Sequence, residues 1–322
     1  MPAFDTMTTM LTGNTFQAVT ASEAHISGRR VVRAGTWFRT ARVHDELWIE
    51  GVAVPEPSSF IEQLKRSGLN ADLFTFAQAL PEIEPRYDYH LEWDNISVTE
   101  TRDYEAWWTS LPQESRKNVR RSQRRGVTVK LVELDDALIS GIQLIYDETP
   151  IRQGRRFWHY RKPLETIRQE NSSYLDRSHF VGAFFEDKLV GFVKLVRVGA
   201  TARFMQILSL SAHYDKRPTN ALLAKSIEIC AQSGISHLIY GQHIYDNKVD
   251  SSITEFKNRN GFKQVLLPRY YIPLTNKGRV GLSLGLHHGF KHKLPLGIRE
   301  ALFSVRMAVY QRMAASKMNV CS

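Results

Sequence analysis

The stretch from His179 to Pro273 constrains the fold of this chain more than any other. Apolar, β-branched runs flank the polar turn Glu186-Asp187-Lys188, which predicts a hairpin over His179–Phe185 and Leu189–Val198. Ala202–Leu210 reads as a third strand. Pro218–Ser233 reads as a helix, because Pro218 suits the first helical position and Gly234 follows its end. His237–Gly241 predicts a short buried strand, Asp250–Asn260 a helix and Phe262–Pro273 a last strand. Strands and helices alternate, as in an α/β fold.

The 322 residues suit one large domain or two small ones, and 43% hydrophobic with 24% charged residues is ordinary for a packed core. No apolar run is long enough to cross a membrane, and the N-terminus shows no basic region followed by an apolar core. Cys230 and Cys321 are too few for a disulfide framework, and Cys230 inside a helix reads as a small buried hydrophobe. Together these features point to a cytoplasmic protein. The net charge of +10 is uneven: residues 275–322 hold eight Lys or Arg against one acid, Glu300. A second basic cluster spans Arg116 to Arg125. Such a balance suits a phosphate-bearing partner: a nucleotide cofactor, an RNA or an anionic membrane face.

Residues 1–28 read as a loose, polar start. Arg30–Glu50 predicts two strands, Pro57–Gly68 a short helix, and Ala71–Leu80 and His90–Val98 further strands. A helix is expected from Thr101, with Thr101 as its cap. Ser115–Arg125 predicts a helix with Arg116, Lys117, Arg120, Arg121, Arg124 and Arg125 on one half of the wheel. Its other half (Ser115, Asn118, Val119, Ser122) is barely apolar, so an exposed linker helix and an RNA-tracking helix both stand. Val127–Leu134 predicts a strand, and Asp135–Glu148 and Phe157–Asn171 predict helices. Gly297–Ser316 reads as an amphipathic helix that either docks on the protein or rests on an anionic membrane. No internal repeat is visible.

The Val190-Gly191-Phe192-Val193 strand after an acidic turn, the helix after Leu210, the strand ending at Tyr240-Gly241, Asn247, and Phe256 through Gly261-Phe262 together resemble the GNAT acyltransferase superfamily over about residues 127–273. Arg116-Lys117-Asn118-Val119-Arg120-Arg121, then Gly126-Val127 and a strand, resembles the FemAB-like branch, as does Phe256-Lys257. The resemblance implies an α/β fold with a mixed, splayed sheet flanked by helices, and a helix N-terminus aimed into the gap. It also implies an N-terminal α+β region that is either a degenerate GNAT-like copy or unrelated, residues 30–125 being short and irregular for a full one. The expected division is 1–126 as that region, 127–275 as the acyltransferase domain and 276–322 as a basic helical extension.

The resemblance implies an acyltransferase that takes its acyl group from acyl-CoA as co-substrate, with no permanently bound cofactor. The acceptor is an amine or hydroxyl on a small molecule or glycan precursor, and relatives of this organisation are associated with bacterial cell-envelope synthesis. Two alternatives stay open: an aminoacyl-tRNA-dependent transferase, and a non-catalytic protein on this fold that binds RNA or sits peripherally at the inner membrane face. One departure is plain. The loop His213-Tyr214-Asp215-Lys216-Arg217-Pro218-Thr219-Asn220 lacks the glycines with which the superfamily approaches a pyrophosphate. Lys216, Arg217, Thr219 and Asn220 at the helix N-terminus are its candidate anion ligands.

Arg152, Gln153, Arg155, His159 and Tyr160, in the loop between the first two helices of that domain, are candidates for acceptor binding. Gln206, Ser209 and Ser211 are read as sharing one face of the central strand and lining the cleft. Lys257 is read as an oxyanion stabiliser or a surface lysine. Tyr240, Gln242 and His243 follow the short strand, where His243 is either a general base or structural; Asp147 and Glu148 are alternative bases. No zinc or calcium spacing, G-x-S-x-G elbow or P-loop is present, and His287-His288 with His292 reads as a solvated turn.

Overall fold

A computed structural model describes residues 22–152, 155–245 and 251–289. Gln153, Asn247, Cys321 and the helix expected over 297–316 lie outside these residues. One sheet of eleven strands runs through the described molecule in the order β1-β2-β3-β4-β13-β5-β12-β11-β10-β9-β6. Its first half comprises β1 (Ser22–Ile26), β2 (Arg29–Ala34), β3 (Thr40–Val43), helix α1 (Pro57–Arg66), β4 (Leu73–Ala77) and β5 (His90–Glu100). Strand β1 falls where a loose start was expected, because its Ile26 is buried and β1 pairs with β2 along its length.

Helices α2 (Tyr104–Ser110) and α3 (Gln113–Arg124) lead to β6 (Thr128–Val132) and α4 (Asp136–Asp147). Asp103 caps α2 by accepting from Ala106 N, while Thr101 Oγ1 instead donates to Ile235 O. A small hairpin, β7 (Ile151–Arg152) and β8 (Arg155–Arg156), precedes α5 (Leu164–Asn171). The helix expected from Phe157 thus starts later, after Pro163, which disfavours the α conformation in the residue before it. Then come β9 (Ser178–Phe185), β10 (Lys188–Val198), β11 (Thr201–Ser209), α6 (Pro218–Gln232), β12 (His237–Ile239), α7 (Ser252–Arg259), β13 (Lys263–Pro273) and α8 (Asn276–Ser283).

The two halves repeat one plan. Three antiparallel strands, a 3₁₀ turn, a helix and a strand parallel to the third recur as β1 to β4 with α1 and as β9 to β12 with α6. The N-terminal region therefore carries a reduced copy of the second half's plan, which no sequence repeat announced. The last strands are exchanged: β5 lies against β12 and β13, while β13 lies against β4 and β5. Each half has its own core. Val31, Phe60, Phe74 and Phe76 centre the first, and Val193, Leu195, Leu222, Ile227 and Leu238 the second. A third cluster around Ile139, Ile142, Tyr146 and Phe192 packs α4 on the opposite face of the second half. Cys230 is fully buried, and burial pushes its thiol up to about 12, so it is an inert core residue. Among the described residues no helix is long and apolar enough to cross a membrane.

Candidate active site

Strands β11 and β12 pair in parallel over only Thr201–Arg203 and His237–Ile239, while β11 continues to Ser209. The sheet splits there, and the edge of β11 facing β12 is left without a strand partner. A bulge at Met205 interrupts the pairing of β11 with β10, between Phe204 opposite Leu195 and Gln206 opposite Lys194. The 3₁₀ turn Ser211–Lys216 turns the chain into α6. Arg217 adopts the left-handed conformation (φ 57°) immediately before Pro218, and no side chain caps the helix. The first turn of α6, with the positive end of its dipole, therefore stands at the mouth of the split.

The first half shows what a closed version of this split looks like. Strands β3 and β4 also pair over three residues, but Glu46 Oε1 accepts from Ala77 N at 2.7 Å beyond the paired segment. Glu46 Oε2 then takes Arg269 at 2.9 Å, and Arg269 bonds Asp94 at 2.6 Å. An ion-pair network fills this gap; among the described residues no ion pair crosses the split of the second half.

Lys257 is fully buried where the second split closes. Its Nζ donates to Tyr240 O (2.6 Å), Gln242 O (2.5 Å) and Tyr245 Oη (3.3 Å). The carbonyls that follow β12 lose strand partners when the sheet splays, and the ammonium satisfies two of them. Burial pushes Lys257 down to about 7. The Tyr240 ring stands edge-on to Phe204 (5.1 Å) and Phe262 (5.6 Å), so rings from both sides of the split touch. His243 is buried, its Nδ1 is 3.1 Å from Ser97 Oγ, and its main chain is held by Asn95 and Thr254. Burial and then the Lys257 charge hold its imidazole below the ordinary range. It is a neutral residue built into the strand end.

The anion-site candidates fall into two kinds. Thr219 Oγ1 meets Ser209 Oγ at 3.0 Å, and Asn220 Nδ2 donates to Asn260 Oδ1 at 3.1 Å. These side chains fasten α6 to β11 and α7; Asn220 N donates to Arg217 O (3.2 Å), which leaves the main-chain N–H of Thr219 as the ligand they can offer. Lys216 lies over the Phe185 ring (4.7 Å) beside Asp215 (3.4 Å).

The acceptor candidates gather on the opposite face of the sheet. Gln206 Oε1 accepts from Tyr146 Oη at 2.7 Å, and its Nε2 is 3.5 Å from His159 Nε2. His159 stacks on Tyr146 (4.3 Å) with its Nδ1 3.7 Å from Glu170, which Lys162 bonds at 2.5 Å. Burial lowers His159, while His159 and Lys162 hold Glu170 below the usual carboxylate range against its own burial. Gln206 and Ser209 do not share a face: three positions apart on a strand is an odd step, and Ser209 turns toward α6. Ser211 lies in the 3₁₀ turn. Arg152 is committed to Ser209 O, Ile145 O and Glu148, so it braces the end of β11. Glu148 also takes Ala212 N. Arg161 lies over the half-buried Tyr160 (5.3 Å).

Sequence reading missed Lys194, which is fully buried, donates to Asn171 O and Ser173 O, and is pushed down by burial to about 7. The signal was a lysine inside the apolar run Phe192-Val193-Lys194-Leu195-Val196. Helix α3 is no free linker. Ser122 is fully buried, Ser115 Oγ donates to Arg259 O (2.5 Å), and Arg125 bonds Asp215 (2.7 Å) in the turn before α6. Its outer side forms an open groove of about 600 Å³ lined by Lys117, Arg120, Arg121, Gln123 and Arg124.

No protein-family model matches the chain, and no curated protein matches it. Solved structures do. FemX superposes with a TM-score of 0.52 at 10% identity, covering 77% of this chain and 87% of that one. The C-terminal domain (DUF2156) of a putative lysylphosphatidylglycerol synthetase from Agrobacterium fabrum gives 0.52 at 13%, covering 82% and 86%. L-PGS from Bacillus licheniformis gives 0.54 at 12%, covering 83% and 88%. At such identities the likeness is one of fold: the chain carries the GNAT-type fold in its FemAB-like form.

Proposed function

We propose that this chain is an acyltransferase working in the split between β11 and β12. The observation that carries the reading is the end of their pairing at Arg203 and Ile239 beside the uncapped N-terminus of α6. The fold shared with FemX and the lysylphosphatidylglycerol synthetase domain supports it. The donor is acyl-CoA. Its phosphates meet the Thr219 N–H in the first turn of α6, with the helix dipole, Lys216 and Arg217 adding charge. Its pantetheine amides lie along the open edge of β11, as an added strand would.

An amine or hydroxyl of a small molecule or glycan precursor of the bacterial cell envelope enters beside the β7–β8 hairpin, where Tyr160 meets it. His159 and Gln206 shape the wall. The nucleophile attacks the thioester carbonyl, its bond to carbon forms, the C–S bond breaks, and the thiolate leaves and takes a proton from water. The nucleophile's proton passes to His243 or to water. Lys257 exchanges Tyr245 for the developing oxyanion and Tyr240 flanks the carbonyl. A panel of acyl-CoAs should show saturable binding by calorimetry and release of free thiol with a suitable acceptor. No binding across the panel sinks this donor.

A second reading, aminoacyl-tRNA as donor, is favoured by the basic groove of α3, whose end is pinned to the loop carrying Lys216 and Arg217. RNA affinity would then fall steeply with salt. Filter binding of tRNA across a salt series tests it, and a flat dependence argues against it.

A further inference from the structure

A second cluster of chemistry lies far along β5 from the split and is independent of the acyltransfer reading. His90 and Glu92 are two positions apart on β5, so they share a face. Strand β13 pairs Tyr271 with His90 and Arg269 with Glu92. After α8, Gly285 turns the chain through a left-handed conformation (φ 65°) into the 3₁₀ turn Leu286–His288. That turn brings two histidines back to a carboxylate 195 positions earlier. His287 Nε2 is 2.7 Å and His288 Nε2 3.1 Å from the same oxygen, Glu92 Oε1, and His90 Nε2 is 3.7 Å away. One donor atom each from Glu92, His287 and His288 lies within 4.8 Å of the others.

The helix that delivers the histidines is fixed. A Cβ on Gly278 would fall 1.8 Å from Asp72 O, and one on Gly281 2.1 Å from the Phe38 ring, so α8 packs with no room for a side chain at either position. Thr275 and Lys277 both bond Asp72. The histidine side chains are therefore presented by a rigid support, as a ligand site requires.

We propose that Glu92, His287 and His288 form a binding site for a zinc-class divalent cation, with His90 at its rim. Three imidazoles crowd one carboxylate oxygen, and the His287 and His288 rings are only 3.9 Å apart between centroids. Two nitrogens and a carboxylate oxygen are a zinc donor set, with ligand distances of about 2.0–2.2 Å and water completing the shell. Donors around such an ion stand roughly 3.4 Å apart, against 2.7 and 3.1 Å for the two nitrogen–oxygen contacts and at most 4.8 Å within the set. The ion would clamp the 286–288 turn to β5, joining a segment late in the chain to the middle of the sheet.

The test uses the full chain without a histidine tag, stripped by a chelator and dialysed into metal-free buffer. Calorimetric titration with ZnCl₂ should show one saturable equivalent and a raised Tm, and CoCl₂ should give the visible absorption of a low-coordinate site. Glu92→Gln and His288→Ala replace partly exposed side chains and should fold as the parent does by circular dichroism. Each should weaken zinc binding by more than about 100-fold, beyond the loss expected for an outer partner. No stoichiometric uptake by the parent, or uptake unaltered in either variant, overturns the proposal.

Discussion

Replacing Lys257 by Met would change both stability and its dependence on pH, and the second reports the protonation of the buried amine. Burial lowers this lysine from its ordinary 10.5 to about 7 in the folded protein. Between those values the unfolded chain holds the proton and the native state does not, so raising pH favours the native state. At about 1.36 kcal/mol per pKa unit, native stability should climb by about 2.5 kcal/mol between pH 7.5 and 9.5 from this residue alone. Other titrations overlap that window, so the informative quantity is the difference between parent and Lys257→Met. Urea unfolding at a series of pH values measures it. The variant also leaves Tyr240 O and Gln242 O without the donor they have, an offset of about 1–3 kcal/mol for each that does not vary with pH. A constant difference across the range would refute the reasoning. It would mean that the carbonyl cage keeps the ammonium charged despite complete burial.

Four further outcomes follow. If Lys257 stabilises an oxyanion it must be charged, so kcat for acyl transfer should fall as pH rises through about 7, which a pH–rate profile checks. Gly191→Ala places a Cβ 2.6 Å from Ser209 Oγ and 3.1 Å from Leu208 O and Leu222, and should cost about 1–3 kcal/mol in urea unfolding. Tyr146→Phe leaves the buried Gln206 carbonyl without its donor and should cost about 1–3 kcal/mol, with KM for the acceptor moving more than KM for the donor. Arg120→Glu with Arg124→Glu should change stability by no more than about 0.5 kcal/mol per site while reducing the salt slope of any tRNA binding.

The second half was legible because its elements are local. Apolar runs, a polar turn, Pro218 before a helix and Gly234 after it each report nearby backbone preferences, and the structure places the elements within a few residues of expectation. The reduced copy in the first half was not legible. Its plan is carried by strand order, which many sequences satisfy, and its short β3 and β4 leave little periodic signal. Of the site residues, Gln206 and His159 are brought together, but Arg152 and Asn220 proved to be braces. A sequence shows that a side chain can bond. It does not show which bonds the fold has already used.

From residue types alone the chain determined an α/β fold, a core cysteine and an uneven positive charge, since these depend on composition and on neighbours a few positions away. Tertiary structure decided the rest. It filled the split of the first half with Glu46 and Arg269, which are 223 positions apart. It buried Lys194 and Lys257 against main-chain carbonyls, and it drew His287 and His288 onto Glu92. Each of these depends on distant segments meeting, and the free energy of a charge or a donor is set by what surrounds it after they meet.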